Sequence, residues 1–301
     1  MADPVPLRPT AVQPAPALRK RARWVKLLLA DRRALISLVV LVVLVGAAAL
    51  APYASPADPT SMAFGMLSPP SWAHPFGTDD LGRDLLSRVI YGARISLFVG
   101  IVTVVSSMLL GVLMGLLSGY YGGWLDTIIM RYIDLQWAFP NFIIAVYLVA
   151  VFGTGLSNVI IAVALAFLDD FARIARGMVL TIRERDYVEA ARALGASDVR
   201  LMLRHILPNS LAPLIVQATV SVSYAILAEA GLSFLGLGVK ASTPTWGLIL
   251  SDARSFISRA WWLGIFPGVA IMITVLSINF FGDYLRDVFD VRETSLEGEG
   301  S

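Results

Sequence analysis

The residues of this chain best placed to do chemistry are three carboxylates that adjoin long charge-free segments. Asp169 and Asp170 follow the run Leu135–Leu168, and Glu229 follows the run Leu211–Ala228. A carboxylate in hydrocarbon costs several kcal/mol unless it is paired or reaches water. The sequence therefore predicts either a partner or an aqueous path beside each of these acids.

Two interpretations are open for Asp169 and Asp170. An arginine lies about one helical turn further along, at Arg173 or Arg176, and a structural ion pair with it is the interpretation that we favour. Alternatively, one of the two acids lines a water-filled path and meets a passing ammonium group. For Glu229 we favour a structural hydrogen bond, at a helix end or a subunit interface, over contact with a substrate.

The sequence does not predict a catalytic site or a metal site. Adjacent residues of a helix point about 100° apart, so neither Asp79 with Asp80 nor the adjacent pair at 169–170 forms a paired-carboxylate hydrolase site. Cysteine is absent, which excludes disulfides, thiolate metal sites and cysteine nucleophiles. The two histidines, His74 and His205, are predicted to lie on opposite sides of a membrane, so they share no metal ion.

No phosphate-binding loop for ATP is found either. The pattern Gly-x-x-x-x-Gly-Lys-Ser/Thr does not occur, and the nearest lookalike, Gly238-Val-Lys240, lacks it. The chain is therefore predicted to depend on another protein for any ATP hydrolysis.

Composition predicts an all-α membrane protein. Hydrophobic residues make up 57% of the chain and charged residues 15%, against roughly 25% charged in an average soluble domain. About 20 apolar residues cross the hydrocarbon core, so the longest run holds two helices, separated by the turn at 152–158. Six membrane helices are thus predicted, in the runs Ala34–Ala57, Ile95–Leu125, Leu135–Leu168 (two helices), Leu211–Ala228 and Ala260–Gly282.

The distribution of basic residues predicts the orientation. With the N-terminus in the cytoplasm, 18 of the 24 lysines and arginines fall on the cytoplasmic side and 6 outside. The even number of helices returns the C-terminus to the cytoplasm. Trp246, Trp261 and Trp262 fall near the outer side, where an aromatic belt is expected.

The chain divides into two tails and a membrane region. Residues 1–25 contain five prolines and no apolar periodicity, which predicts a disordered cytoplasmic tail. A cleavable signal peptide is not expected, because the apolar stretch begins late and is too long for a signal core. Residues 26–92 hold the first membrane helix and an external loop, residues 93–290 a five-helix core, and residues 291–301 a flexible tail. The basic cluster Arg19–Lys26 is expected to meet anionic lipid, whereas a net charge of +2 does not support nucleic-acid binding.

The segment Glu184–Asn209 is a charged island between apolar runs. Residues 189–194 are nearly all strong helix formers, and Gly195 follows where a helix end needs a left-handed residue. Ser197 is then expected to cap a second short helix. That helix is predicted to carry Val199, Met202 and Ile206 on one face. It is predicted to stop before the next apolar run, at Pro208 and Asn209.

The same segment resembles the EAA motif in the membrane subunits of bacterial ABC importers. That motif has Glu-Ala-Ala, a Gly after three further residues, and Leu-Pro twelve and thirteen positions after the Gly. One departure is His205, where the pattern has Ile. In the family this loop forms coupling helices that sit in a groove of the ATPase, so the resemblance implies ATPase coupling by Glu189, Ala190, Ala191, Gly195, Ser197, Leu207 and Pro208.

Further motifs resemble the second permease of peptide importers. Phe76–Asp84 is similar to the signature Phe-Gly-Thr-Asp…Gly-Arg-Asp and precedes a helix-compatible stretch, Leu85–Tyr91. The likeness covers roughly 70% of the chain and extends over the peptide, nickel and glutathione group; Val291, where relatives commonly have Pro, departs from it. Other matching segments are Gly119–Gly123, Arg131 with Asp134, Gly236–Gly238, Pro244–Gly247, Trp261-Trp262, Phe266–Gly268 and Gly282–Asp287.

The resemblance implies a type I ABC importer permease in the bacterial inner membrane, carrying di- or oligopeptides. Its implied partners are a homologous second permease, two ATPase subunits that bind ATP and Mg²⁺, and an extracytoplasmic substrate-binding protein; the chain itself needs no cofactor. A secondary transporter or channel would show inverted repeats or unwound membrane helices with ion ligands. An intramembrane enzyme would show convergent catalytic residues. The sequence favours the importer permease over both.

Overall fold

The computed structural model describes residues 27–239 and 243–297, with side chains up to 289, and within these ranges the regular structure is helical. The predicted tail at 1–25 lies outside the described residues. An isolated antiparallel bridge joins Thr78 to Asp84. The helices are α1 (Arg32–Ala49), α2 (Ala51–Ala54), α3 (Leu85–Tyr121), α4 (Gly123–Trp137), α5 (Asn141–Phe152), α6 (Leu156–Ala166), α7 (Leu168–Ile182), α8 (Asp186–Ala193), α9 (Asp198–Leu201), α10 (Leu207–Phe234), α11 (Trp246–Ala253) and α12 (Trp262–Glu297).

Four helical segments of the described chain are long and apolar enough to cross a membrane. The pair α4 and α5 adds a fifth if it counts as one span, although its two halves meet at an angle of 95°. Helices α6 and α7 are each shorter than a bilayer crossing. The all-α membrane class is therefore confirmed. The four segments are Arg32–Ala49, Leu85–Tyr121, Asp198–Phe234 and Trp262–Phe289.

The central contact of the fold is the packing of α3 against α7. Gly111, Gly115 and Gly119 form a stripe at four-residue spacing along α3, and α7 lies directly on it. A side chain at Gly115 would collide with the Ala172 carbonyl oxygen, and one at Gly119 would come within 2.8 Å of Cβ of Val179. Small residues at such spacing let two membrane helices approach closely, since lipid offers no hydrophobic drive for their association.

Helix bounds differ from those predicted at several places. The stretch from Leu85 is continuous with the second span, because Asp84 caps a single helix that runs to Tyr121. The first span ends at Ala49 and a short turn of helix follows, beginning one residue before Pro52. Residues 291–297, expected in a flexible tail, continue α12 as helix. The predicted turn between α5 and α6 is confirmed.

The predicted helix stop at Pro208 and Asn209 is wrong. A π-helical turn, Met202–Ile206, carries the chain from α9 directly into α10. Pro208 stands in the first turn of α10, where a missing N–H is tolerated. The Asn209 amide donates to the His205 carbonyl (2.6 Å) and the Ser210 hydroxyl to the Ile206 carbonyl (3.0 Å). The chain therefore passes the proline as continuous helix, with the π turn directly before it.

Substituting Gly115 tests the α3–α7 contact. Gly115→Ala places a methyl group against the Ala172 carbonyl and within 2.6 Å of Cβ of Ala175, and overpacking of this kind costs about 1–3 kcal/mol. We expect a lower midpoint of thermal unfolding for the detergent-purified protein. Gly46→Ala in α1 is the control, because no heavy atom lies within 4 Å of its added Cβ. Equal midpoints for the two variants would contradict the packing argument.

Candidate functional site

Helix α8, the turn at Gly195, helix α9 and the π turn together form a compact element, residues 186–206, which we call the surface helix pair. Its turn has the Schellman geometry: the N–H of Ala196 donates to Ala191 (3.1 Å) and the N–H of Gly195 donates to Arg192 (2.9 Å). Gly195 has φ +83°, which an L-residue adopts only with strain. The predicted left-handed end of the first helix is confirmed.

Buried apolar side chains anchor the surface helix pair to the membrane helices. Val188, Leu201 and Ile206 are fully buried and belong to the same core cluster as Val179 and Ile182 near the end of α7. Acidic residues in the first turn of α8 and a basic residue in its last turn match the helix dipole. The pair is therefore held firmly on one side.

The other side of the surface helix pair exposes apolar residues. Leu194 is 89% exposed, Val199 59% and Leu203 57%. Of the three residues predicted to share one face of the second helix, Met202 and Ile206 are buried and Val199 is exposed. Ser197 occupies the N-cap position, but its side chain makes no capping hydrogen bond. Exposed apolar groups on a charged, rigid element are typical of a docking surface.

The EAA residues divide between this surface and the scaffold beneath it. Glu189 and Ala190 are exposed, as are Gly195 and Pro208, whereas Ala191 and Leu207 are half-buried against the main core. The carbonyl of Ala190 accepts the N–H of Leu194 (3.1 Å). Small residues at 190 and 191 leave room for a partner above the helix and for close packing below it.

Polar contacts connect the surface helix pair to the end of α3. The Tyr120 hydroxyl donates to Asp198 (2.7 Å), and the guanidinium of Arg192 stands 6.0 Å from the Tyr120 ring. Arg183, between α7 and α8, donates to the Gly119 carbonyl (2.8 Å). These contacts were not predicted, since they join residues more than 60 positions apart. They attach the surface helix pair to the end of α3 and to the end of α7.

The arginines of α7 are paired with α4, not with the acids of their own helix. Arg176 forms a two-point ion pair with Asp126 (2.6 and 2.7 Å). Arg173 donates to Asp134 (2.7 Å) and stacks over the Trp137 ring at 4.1 Å. The predicted pairing of Asp169 or Asp170 with Arg173 or Arg176 is therefore wrong, because α4 passes beside α7 and offers carboxylates in better geometry.

Asp169 and Asp170 have different surroundings. Asp169 is fully buried, and among the described residues its carboxylate oxygens have no hydrogen-bond partner. Asp170 is half-buried and accepts a hydrogen bond from the Gln217 amide of α10 (3.3 Å). Both acids lie in the first turn of α7, where the positive end of the helix dipole stabilises a negative charge.

Glu229 is fully buried where α3, α10 and α11 meet. Its carboxylate accepts hydrogen bonds from Ser233 (2.8 Å) and Ser96 (3.3 Å). Ser96 in turn accepts the N–H of Trp246 at the start of α11 (3.3 Å). This arrangement supports the structural hydrogen-bonding role that the sequence favoured.

A buried ion cluster holds the N-terminal end of α3. Arg88 is almost fully buried and contacts both Asp79 and Asp252, the latter at 3.2 Å. Arg83 donates to Asp79 (2.6 Å), and the same carboxylate accepts the Arg83 N–H (2.8 Å). Burial of a charge is tolerated when it is paired and hydrogen-bonded. Arg88 therefore ties the loop before α3 to the end of α11.

The signature Phe76–Asp84 therefore has a structural role, because its polar side chains fix the loop to the start of α3. Asp84 caps α3 through the N–H of Ser87 (2.8 Å) and also contacts the His74 ring (3.1 Å). Asp80 is not bonded to Asp79; burial, together with the negative charges of Asp79 and Asp252, raises the pKa of the Asp80 carboxyl. No shared-proton pair of the kind a hydrolase uses is formed by these two acids.

The predicted aromatic belt is wrong for two of its three tryptophans. Trp246 and Trp262 are buried in a core cluster that includes Leu85 and Val89 of α3. Their indole N–H groups donate to the backbone carbonyls of Val89 (3.0 Å) and Thr78 (3.1 Å). Trp261 is half-exposed. These two indoles can be buried near the ion cluster because a backbone carbonyl accepts the N–H of each ring.

Two family descriptions match the chain. Residues 111–294 match the binding-protein-dependent transport system inner membrane component. Residues 22–70 match the N-terminal TM domain of oligopeptide transport permease C. The first match covers the surface helix pair, α7 and the end of α3 that carries the three glycines.

Named proteins of similar sequence cover most of the chain. The di/tripeptide transport system permease protein DppC of Pseudomonas aeruginosa is 46% identical over 267 residues, which is 86% of this chain and 88% of that protein. The dipeptide transport system permease protein DppC of Haemophilus influenzae is 45% identical, covering 86% of this chain and 90% of that protein. The glutathione transport system permease protein GsiD of Pectobacterium atrosepticum is 46% identical and covers 73% of each chain.

Proposed function

The chain belongs to the family of binding-protein-dependent transport system inner membrane components, and we propose that it imports di- or oligopeptides as one permease of a heteromeric ABC transporter. As a family member it is a membrane-spanning, non-catalytic permease component of the inner membrane. The peptide substrate is proposed from the transport names of relatives that are 45–46% identical over 86% of this chain.

The proposed topology has six membrane helices with both termini in the cytoplasm. It counts α4 with α5 as one crossing and α6 with α7 as another, beside the four long apolar segments. The excess of lysine and arginine on one side supports this orientation. The surface helix pair then lies in the cytoplasm, and the ion cluster around Arg88 lies outside.

The observation that carries the proposal is the surface helix pair. It is anchored by Val188 and Leu201, rigid at Gly195, and apolar on its free side at Leu194 and Val199. A groove of an ATPase subunit is its proposed binding site. One ATPase would hold this chain and a second ATPase a homologous partner permease, with ATP and Mg²⁺ bound in the ATPases and none in this chain.

Movement of the surface helix pair would act directly on the membrane helices. Helix α8 follows α7 after three residues, and Arg183 and Tyr120 connect the same region to α3. Closure of the ATPases would therefore shift α3 and α7 together relative to the partner permease. Such rigid-body movement is the physical basis proposed for alternating access.

Asp170 is the proposed contact for a peptide amino terminus. It is half-buried, whereas Asp169 and Glu229 are fully enclosed. One turn further along, Arg173 and Asp134 line an open cleft of about 370 Å³ between α4 and α7.

The first test concerns ATPase coupling. Gly195→Pro removes an N–H bonded to Arg192 and cannot adopt φ +83°. We expect membrane insertion to persist while recovery of the ATPase subunits by affinity purification falls about tenfold, a loss of about 1.4 kcal/mol.

Gly236→Pro is the matched control for this test. Gly236 has φ +78° and completes the same type of turn at the far end of α10, where its N–H donates to Ser233 (3.0 Å). This variant should retain the ATPase subunits. Equal losses in both variants would show general misfolding and refute a coupling role specific to the surface helix pair.

The second test concerns topology. The chain has no cysteine, so single substitutions at exposed serines can be labelled without background. Ser71→Cys and Ser258→Cys should react with a membrane-impermeant thiol reagent in intact cells, provided that any outer membrane has first been permeabilised. Ser197→Cys should react only after the inner membrane is opened. Labelling at 197 in intact cells would overturn the six-helix topology.

The third test concerns Asp170. Asp170→Asn keeps the volume and removes the charge, so uptake should fall at least about tenfold for peptides with a free amino terminus, the equivalent of about 1.4 kcal/mol. Uptake of an N-acetylated peptide that the binding protein still accepts should change far less. Glu229→Gln serves as the comparison, because a structural acid should affect both ligands alike. An equal loss for both peptides in Asp170→Asn would refute the contact.

A further inference from the structure

Helices α6 and α7 are separated by a break at Phe167, which lies between two otherwise regular segments. Phe167 has φ −114° and ψ 8°, outside the helical range, and its N–H donates to Val163 (3.1 Å). The end of a helix leaves carbonyl groups without a partner in the helix. Here those carbonyls belong to Ala164, Leu165 and Ala166.

Side chains from two other helices take up all three carbonyls. The Ser107 hydroxyl of α3 donates to Ala164 (2.9 Å). The Gln136 amide of α4 donates to both Leu165 (2.8 Å) and Ala166 (3.0 Å). Unsatisfied backbone groups in hydrocarbon cost several kcal/mol each, so these two side chains make the break possible.

The segments on either side of the break have different neighbours. Helix α6 packs mainly against α5, whereas α7 packs mainly against the glycine stripe of α3. Helix α7 also leads directly into the surface helix pair, and Asp169 stands in its first turn. The break therefore separates α7, which leads directly into the surface helix pair, from α6, which does not.

We propose that Gln136, assisted by Ser107, is a positioning residue that holds the break at Phe167 as a hinge. Its amide keeps the freed carbonyls bonded while α7 and the surface helix pair turn relative to α6. The hinge's use in transport rests on the proposed function. Gln136 was visible in the sequence as a polar side chain inside a charge-free run, but the carbonyls that it serves were not.

Spin labels test the positioning role without any transport measurement. Ser157→Cys on α6 and Thr181→Cys on α7, both exposed, carry the labels in the assembled complex in lipid nanodiscs. Gln136→Met keeps the side-chain volume and removes both donors. We expect the distance distribution between the labels to become about twofold wider, because two buried hydrogen bonds are lost.

Ser107→Ala and Ser106→Ala supply the matched pair. Each hydroxyl lies within hydrogen-bond distance of a carbonyl of α3, but only the single O–H of Ser107 is shared with a carbonyl of α6, that of Ala164. Ser107→Ala should widen the distribution and Ser106→Ala should not. An unchanged width in Gln136→Met would overturn the proposal. If Gln136→Met does not reach the membrane, Ser107→Ala decides alone, and an unchanged width overturns the proposal in the same way.

A transport assay tests what the hinge does. In Gln136→Met, the ATP hydrolysed per peptide imported should rise at least about threefold, with the half-saturating peptide concentration unchanged, because gating and not binding is impaired. A wild-type ratio in a variant with widened distances would overturn the hinge's role in transport. Absence of ATP-driven uptake by the wild-type complex would instead overturn the proposed function, and the label distances would still decide the positioning role.

Discussion

The close approach of α3 and α7 is the constraint on which the rest of the structure depends. Three glycines on one face of α3 bring the two backbones together, and added side chains there would meet carbonyl oxygens and Cβ atoms of α7. Dispersion contacts and weak C–H···O bonds between backbones supply the attraction that the hydrophobic effect cannot supply in lipid. The positions of Asp169, of the break at Phe167 and of the surface helix pair all follow from this contact.

Each end of α3 carries a different polar attachment. At its start, the buried Arg88 joins the loop signature to α11 through Asp79 and Asp252. At its end, Tyr120 and the Gly119 carbonyl bind the surface helix pair. One helix of 37 residues connects the two attachments, so a displacement at either of them would act on the same helix. This geometry suits a protein whose proposed work is to couple events on two sides of a membrane.

Local features were predictable because their causes are local. The left-handed turn at Gly195 follows from helix formers that end in a glycine, and the turn at 152–158 follows from glycine and polar residues between apolar runs. The stop at Pro208 failed although its cause is also local, since a π turn leads into α10 and leaves the proline in the first turn of that helix. A residue's propensity sets a preference, and its neighbours can override it.

The sequence by itself determined the membrane class, the helical content and the segment that forms the surface helix pair. These depend on composition and on spacing along the chain. Only the tertiary structure decided the partners of the charged residues: Arg176 binds Asp126, 50 positions away, and Arg88 binds Asp252, 164 positions away. It also decided that the buried indole of Trp246 donates to the Val89 carbonyl, and that the Gln136 amide donates to a carbonyl at the end of α6. Ion pairs and hydrogen bonds act over about 3 Å, so their partners are set by how distant segments pack.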